Sequence, residues 1–442
     1  MKTLIVDPAG SGLDWAYRAK EAGHAVKLFI RQTPKTEHIG RGLVDVVEEL
    51  DPWLRWPDLI VNTDNTRYLR DLDMMRVLGW PVISASQESA KWELDRDVGQ
   101  KILKKHGVET PPAKEFNDYD QAIAYVKRTG KRLVSKPSGD ADKALSYVAK
   151  TPADMVYMLE RWKRTGKLKG AFILQDFIPG IEMAVGGWFG PHGFNAGWCE
   201  NFEFKKLMDG DMGVATGEQG TVLRYVTRSK LAKLVLSPLT EALAALDYCG
   251  YVDVNCIIDE KGQPWPLEFT MRFGWPTFNI QQELHPGDPV DWLWQLSQGR
   301  DARNTWMDRV AIGVVLSVPD YPYSHLTRKE VVGSPIYGLT PQLQPHVHFC
   351  ETMLGEAPID RNGKVETAKL PVTAGDYVLV MSATGETVYQ AKQTAYRRLK
   401  HLTLPNSPMH RTDIGDRLSA QLPLLQKHGF ATGLAFSTSP PP

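Results

Sequence analysis

Tyr251-Val252-Asp253-Val254-Asn255, the turn Asp259-Glu260-Lys261-Gly262 and Leu267-Glu268-Phe269-Thr270-Met271-Arg272-Phe273 read together as one β-hairpin with a chemically loaded face. Residues two apart on a strand share a face, so Asp253 lies with Asn255, and Glu268 with Thr270. Across the hairpin this gathers oxygen ligands of the kind a magnesium ion takes. The guanidinium of Arg272 beside them suits a carboxylate or phosphate bidentately. The apolar neighbours Trp265, Leu267, Phe269 and Phe273 argue for a site in a wall of the core over a merely solvated polar strand.

Three segments upstream point the same way. Leu133-Val134-Ser135-Lys136 is a strand ending in a lysine, which can neutralise phosphate oxygens. Ile173-Leu174-Gln175-Asp176-Phe177-Ile178-Pro179-Gly180-Ile181-Glu182 leaves an apolar wall, turns, and returns with a carboxylate. Backbone groups in such a hinge can read an adenine edge, and the carboxylate can accept ribose hydroxyls. Lys205 through Gly220 intersperses acids and glycines, and is expected to be a loop presenting backbone amides to an anion. Any one of these is weak alone, since a lysine at a strand end or a hairpin is ordinarily structural. Their order along one chain gives them weight.

At 442 residues the chain has room for about three domains of roughly 150 residues. The first hundred residues alternate strands (Lys2–Val6, Ala25–Ile30, Leu59–Val61, Pro81–Ile83) with helix-length segments, which implies an open parallel α/β sheet. Ser84 and Gln87 are placed to form a capping box, and a helix carrying Leu94, Val98, Ile102 and Leu103 follows. From Val108 the character becomes α+β with antiparallel sheet, and it shifts again near Arg300–Asn304. The expected division is therefore 1–107, 108–303 with a lid at about 112–185, 304–425, and a tail over 426–442. A hydrophobic share of 42% with 24% charged residues fits an ordinary globular chain and excludes global disorder. Zero formal net charge predicts no strong attraction to nucleic acid or an acidic membrane. No apolar run approaches the roughly 18 residues of a membrane span, and four scattered cysteines without a CxxC pair suggest a reducing compartment and no zinc. A cytoplasmic protein is expected.

Together the four segments resemble the ATP-grasp superfamily, and within it the chain is similar to phosphoribosylamine–glycine ligase. Lys205…Asp209-Gly210-Asp211-Met212-Gly213…Thr216-Gly217…Gly220 looks like that family's K-x-x-x-D-G-D-x-G-x-x-T-G-x-x-G, and Leu267 to Pro276 looks like its L-E-F-N-x-R-F-G-D-P. Gly375-Asp376-Tyr377-Val378-Leu379 and Arg411-Thr412-Asp413-Ile414-Gly415 resemble its C-terminal domain and closing R-x-D-I-G. The resemblance implies an N-terminal pre-ATP-grasp domain, an ATP-grasp domain and a small α+β domain. It implies ATP with Mg²⁺ or Mn²⁺, and small carboxylate and amine substrates joined through an acyl phosphate in a monomer or homodimer. By the same resemblance Arg96 and Lys136 hold phosphates, Gln175, Asp176, Phe177 and Ile178 line adenine, and Glu182 binds ribose. Glu268 ligates the metal with Asn255 and Thr270. Arg272 and Lys205 are catalytic, and Gly10, Ser11, Gly12, Asp211, Thr216, Gly217 and Trp275 face substrates.

The departures concentrate on the acceptor side. The family's G-G-R-E-H-A becomes Ala9-Gly10-Ser11-Gly12-Leu13-Asp14, its lid D-G-L-A-A-G-K-G becomes Ser138 to Leu145, and T-G-G-M-G becomes Thr216-Gly217-Glu218-Gln219-Gly220. Thr270 replaces the metal-binding asparagine and Trp275 the acid after R-F-G. The expectation is a carboxylate–amine ligase with altered substrates. The rivals are a genuine phosphoribosylamine–glycine ligase and an inactive nucleotide-binding homologue.

Overall fold

A computed structural model describes residues 1–137, 146–166, 171–300, 306–323, 328–405 and 407–438. The expected lid Ser138 to Leu145 and most of the third-domain boundary at 300–304 lie outside the described residues.

Strands β1 (Lys2–Val6), β2 (Ala25–Phe29), β3 (Val46–Val47), β4 (Leu59–Asn62) and β5 (Val82–Ile83) form a five-stranded sheet in the order β3-β2-β1-β4-β5, parallel throughout. Leu4, Ile5, Val6, Leu59, Ile60 and Val61 are fully buried, as expected where helices cover both faces of a parallel sheet. Helices α1 (Leu13–Glu21) and α2 (Leu69–Val77) supply crossovers. Two helices follow β5, as expected: α3 (Gln87–Leu94) and α4 (Arg96–Lys105), with Leu94 ending the first and not beginning the second. Asp95 breaks them because its carboxylate accepts from Asp97 N and Val98 N and caps α4, leaving Leu94 exposed. The capping box lies at Ser86 and Ser89, not at Ser84 and Gln87, because Ser84 is held in the core by Asn62.

A small sheet, β6-β9-β7-β8, is built from β6 (Ala113–Phe116), β7 (Leu133–Pro137), β8 (Tyr147–Val148) and β9 (Phe172–Asp176) and packs its own core with Phe116, Leu133, Leu159 and Trp162. The large antiparallel sheet follows. Its strands are β10 (Gly180–Gly190), β11 (Gly193–Met208), β12 (Met212–Val226), β13 (Gly250–Asp259), β14 (Pro264–Thr270), β15 (Val310–Ser317), β16 (Val347–Phe349) and, beyond the two-stranded ribbon β17 (Thr352–Arg361) and β18 (Lys364–Thr373), β19 (Tyr377–Gly385). The order β14-β13-β10-β11-β12-β15-β19-β16 runs without interruption across the boundary expected near residue 303.

Two expectations are corrected. Lys205 to Gly220 is not a loop but the far end of the long β11–β12 hairpin, turning at Asp209–Asp211 with Gly210 at φ +67°, because both strands continue past bulges near Lys206. The expected tail from 426 is anchored as far as Phe436: Phe430 and Leu434 are buried, and Val388 N and Tyr389 N donate to Ala435 O and Phe436 O. Among the described residues no helix is long and apolar enough to cross a membrane.

Candidate active site

The charged face of the large sheet follows from strand register. Asn255 pairs with Glu268 and with Ala184, Asp253 pairs with Thr270 and with Gly186, and Glu203 pairs with Thr221. One face therefore gathers Glu182, Asn201, Glu203, Asp253, Asn255, Glu268 and Thr270. Gly186 is needed there: a Cβ would fall 1.9 Å from the Tyr251 hydroxyl and 2.8 Å from Asp253 Oδ2.

Lys205 sits at the centre. Its Nζ lies 2.9 Å from Glu182 Oε1, 2.9 Å from Glu203 Oε2 and 3.7 Å from Glu268 Oε1. Burial alone lowers the Lys205 amine, but Glu182, Glu203 and Glu268 outweigh it and hold it well above the usual lysine range. Arg96, placed by the Asp95 cap at the start of α4, puts Nη2 2.8 Å from Glu268 Oε2. Burial raises Glu268, yet Lys205 and Arg96 win and hold its carboxyl far below the usual range. Lys136 is 8% exposed on β7; burial, reinforced by Arg96, brings its amine down to about 7. Asn255 Nδ2 donates to Glu182 Oε1 and Glu203 Oε2, both at 2.9 Å, while its buried Oδ1 has no partner among the described residues.

A divalent cation is implied by the fold, and the donors present fit one. Glu268 offers a carboxylate and Asn255 an unpaired amide oxygen, adjacent by register, with Thr270 next on the same face. No cluster of three or more His, Cys, Asp or Glu ligands occurs among the described residues. This suits a cation that keeps waters and phosphate oxygens in its shell, as magnesium does.

Sequence reasoning missed three carboxylates. Glu203 lies two residues from Lys205, a spacing that could have revealed it. Glu218 is 5% exposed, and its carboxyl is pushed well up by burial and then by Glu203. Asp7 is fully buried under the N-terminal turn: it accepts from Gly10 N at 3.0 Å and from Gly12 N, and burial lifts it to about 6. The amides of Gly10 and Gly12, residues expected to face substrates, are thus already taken by the chain's own carboxylate.

The remaining expected residues divide. Gln175 is buried in the hinge, Asp176 pairs with Lys131 at 2.6 Å, Phe177 stacks under Arg132 at 3.4 Å, and Ile178 is half-buried. Glu182 joins the Lys205 cluster and binds Asn255. Arg272 is held by Glu93 Oε1 at 3.1 Å and donates to Phe273 O. Thr216 Oγ1 donates to Lys205 O and accepts from Gln219, while Gly217 has open space around it. Asp211 is bound by Arg411 at 2.9 Å and by Arg417 at 3.1 Å, a tie within the fold and not a free substrate ligand. Trp275 lines a pocket with Gly10, Ser11, Asn279, Glu351 and Tyr377.

This sheet, its small companion and the cation-rich cluster between them make an ATP-grasp fold. Residues 95–278 match the phosphoribosylglycinamide synthetase ATP-grasp (A) domain. The particular resemblance is to phosphoribosylamine–glycine ligases. The chain is 25% identical over 443 residues to that of Xanthomonas axonopodis pv. citri, covering 95% of this chain and 99% of the relative. The fold is that of the phosphoribosylamine–glycine ligase from Thermotoga maritima, with a TM-score of 0.70 at 18% identity over 94% of this chain and 100% of that one. It is also that of the biotin carboxylase domain of Hydrogenobacter thermophilus 2-oxoglutarate carboxylase, solved with MgADP, with a TM-score of 0.61 at 13% identity over 98% of this chain and 96% of that one.

Proposed function

We propose that the chain joins a carboxylate to an amine at the expense of ATP, and that the amine is not a 5-phosphorylated ribosylamine. Arg96 and Lys136 take phosphate oxygens of ATP, with Lys205 beside them on the same carboxylate cluster. Mg²⁺ or Mn²⁺, held by Glu268 and Asn255 with Thr270 beside them, supplies charge neutralisation at the phosphates when bound. The substrate carboxylate, oriented by Arg272, attacks the γ-phosphorus and ADP leaves. The amine then attacks the acyl carbon, phosphate leaves, and the nitrogen gives up a proton. Phosphoryl transfer of this kind depends on positioning and charge neutralisation, which the Lys205 cluster is built to provide.

The observation that carries the altered-substrate reading is Asp7. A phosphate at the N-terminal turn needs free amides or cations. Here the amides of Gly10 and Gly12 face a buried carboxylate, and the turn Ala9 to Leu13 holds no cation. Trp275 supplies an indole, which could stack on a ring or a cation but gives no carboxylate for a free ammonium. A genuine phosphoribosylamine–glycine ligase is the second reading, favoured by the coverage of those relatives from end to end. The test is ADP release from ATP, Mg²⁺, glycine and freshly made phosphoribosylamine. We expect a rate near background. Turnover of roughly 1–10³ s⁻¹ overturns the altered-substrate reading and establishes the second.

A further inference from the structure

The pocket between the N-terminal turn and the C-terminal part of the large sheet contains one group that the fold leaves unsatisfied. Asn279, on the helix Thr277–Leu284, is 1% exposed and lines this pocket, and neither its Oδ1 nor its Nδ2 has a hydrogen-bond partner among the described residues. A buried, unpaired amide costs about 1–3 kcal/mol, so a chain that retains one in a pocket is equipped to pair it with something that enters. The opposite wall carries Glu351, whose Oε2 accepts from Tyr377 N at 3.0 Å and whose Oε1 lies 3.9 Å from Lys35 Nζ. Asp376 also faces this carboxyl. Trp275 and Tyr377 add flat aromatic surface, and Gly10 and Ser11 close the end with amides that Asp7 draws away. Among the described residues no lysine or arginine lines the pocket, although Lys35 pairs with Glu351.

We infer that this pocket holds the amine substrate as an unphosphorylated cation with a flat donor–acceptor edge, the positive charge going to Glu351 and the edge pairing with the Asn279 amide. The inference rests on the ligase reading above and makes Asn279 and Glu351 the determinants of its acceptor. An amide offers one donor and one acceptor side by side. A ligand edge of the same kind, such as a carboxamide, satisfies both at once, whereas a phosphate offers acceptors only.

The test is a ligand-observed NMR titration of the full-length protein. The probe is glycinamide, which has an ammonium group, a carboxamide edge and no phosphate. Acetamide serves as the edge without the charge, and ribose 5-phosphate as the anion. We expect saturable glycinamide binding, weakened tenfold or more in Asn279→Leu and in Glu351→Gln. Acetamide binding should depend on Asn279 alone, and ribose 5-phosphate should not saturate. Asn279→Leu should melt at the same temperature or higher, because it removes a buried unpaired amide at nearly constant volume. A lower melting temperature means the amide is satisfied within the fold and overturns the inference. So does glycinamide affinity that neither substitution changes, or saturable ribose 5-phosphate binding without glycinamide binding. ATP with Mg²⁺ is titrated into the same samples. ATP binding without glycinamide binding sinks this inference and leaves the ligase reading standing, whereas loss of ATP binding alone sinks the ligase reading and not the pocket.

Discussion

At the scale of residues, the site is a balance of three cations against three carboxylates, and each partner is testable. Glu268→Ala removes the one carboxylate that touches both Arg96 and Lys205. We expect Mg²⁺ to lose its effect on ATP affinity in that variant while circular dichroism stays native. An unchanged Mg²⁺ dependence would falsify the assignment of the metal to Glu268. Lys136→Ala should weaken ATP binding roughly 10- to 100-fold, the loss expected for a hydrogen bond to a charged group; calorimetric titration checks it, and equal affinity excludes Lys136 from the phosphate site. The pH dependence has a definite sign. In the free protein the Lys136 amine lies at about 7, below its ordinary 10.5, through burial and Arg96. A bound phosphate favours the charged amine, so binding above pH 7 takes up a proton. ATP affinity should therefore fall as pH rises from 7 towards 10, and Lys136→Met should flatten that slope.

At the scale of elements, two of the motifs turn out to bind each other. The Asp209-Gly210-Asp211 turn of the β11–β12 hairpin is clasped by Arg411-Thr412-Asp413: Arg411 meets Asp211 and Asp413, Gly210 N donates to Asp413, and Thr412 N donates to Asp209. Arg411 is 1% exposed and also donates to Lys206 O. Removing it strands these acceptors and leaves a void. Arg411→Ala should therefore destabilise the protein by about 2 kcal/mol or more, measured by urea denaturation, with ATP affinity within twofold of the parent. A selective loss of ATP binding with unchanged stability would show instead that the turn serves the nucleotide.

At the scale of the molecule, a buried polar chain joins the N-terminal sheet to the large one. His348 is fully buried; its Nδ1 lies 2.7 Å from Asp14 Oδ2 on α1 and its Nε2 2.8 Å from Ser382 Oγ on β19. Ser382 also bonds Glu283, which pairs with His346 and Arg398. Burial lowers the His348 imidazole, outweighing the pull of Asp14. Despite its Asp–His–Ser order the chain of bonds has no access to solvent at His348, and it ties α1 to β16 and β19. His348→Leu leaves Asp14 and Ser382 without their partner. Differential scanning calorimetry should show a lower melting temperature, with the N-terminal sheet melting ahead of the rest. A single transition at the parent temperature would mean that the chain does not couple the two sheets.

The parallel sheet, the strand ending in Lys136, the hinge at Gln175–Ile178 and the Asn255–Glu268 pair were legible from sequence because each rests on local pattern: alternation, turn residues and a separation of two. The similarity of motifs extended that reading to the nucleotide half of the site. What sequence could not show was which polar groups would meet. Asp7 lies three residues before Gly10 and seemed only to end a strand, but the fold turns its carboxylate under the loop amides. Lys205 finds carboxylates from β10, β11 and β14, and Glu351 and Asn279 face one pocket from distant parts of the chain. Such encounters depend on strand order and register over long separations, and on burial, which no window of sequence contains. The proposed nucleotide site was therefore written largely in the sequence itself, while the pocket proposed for the acceptor took shape only when the sheets were brought together.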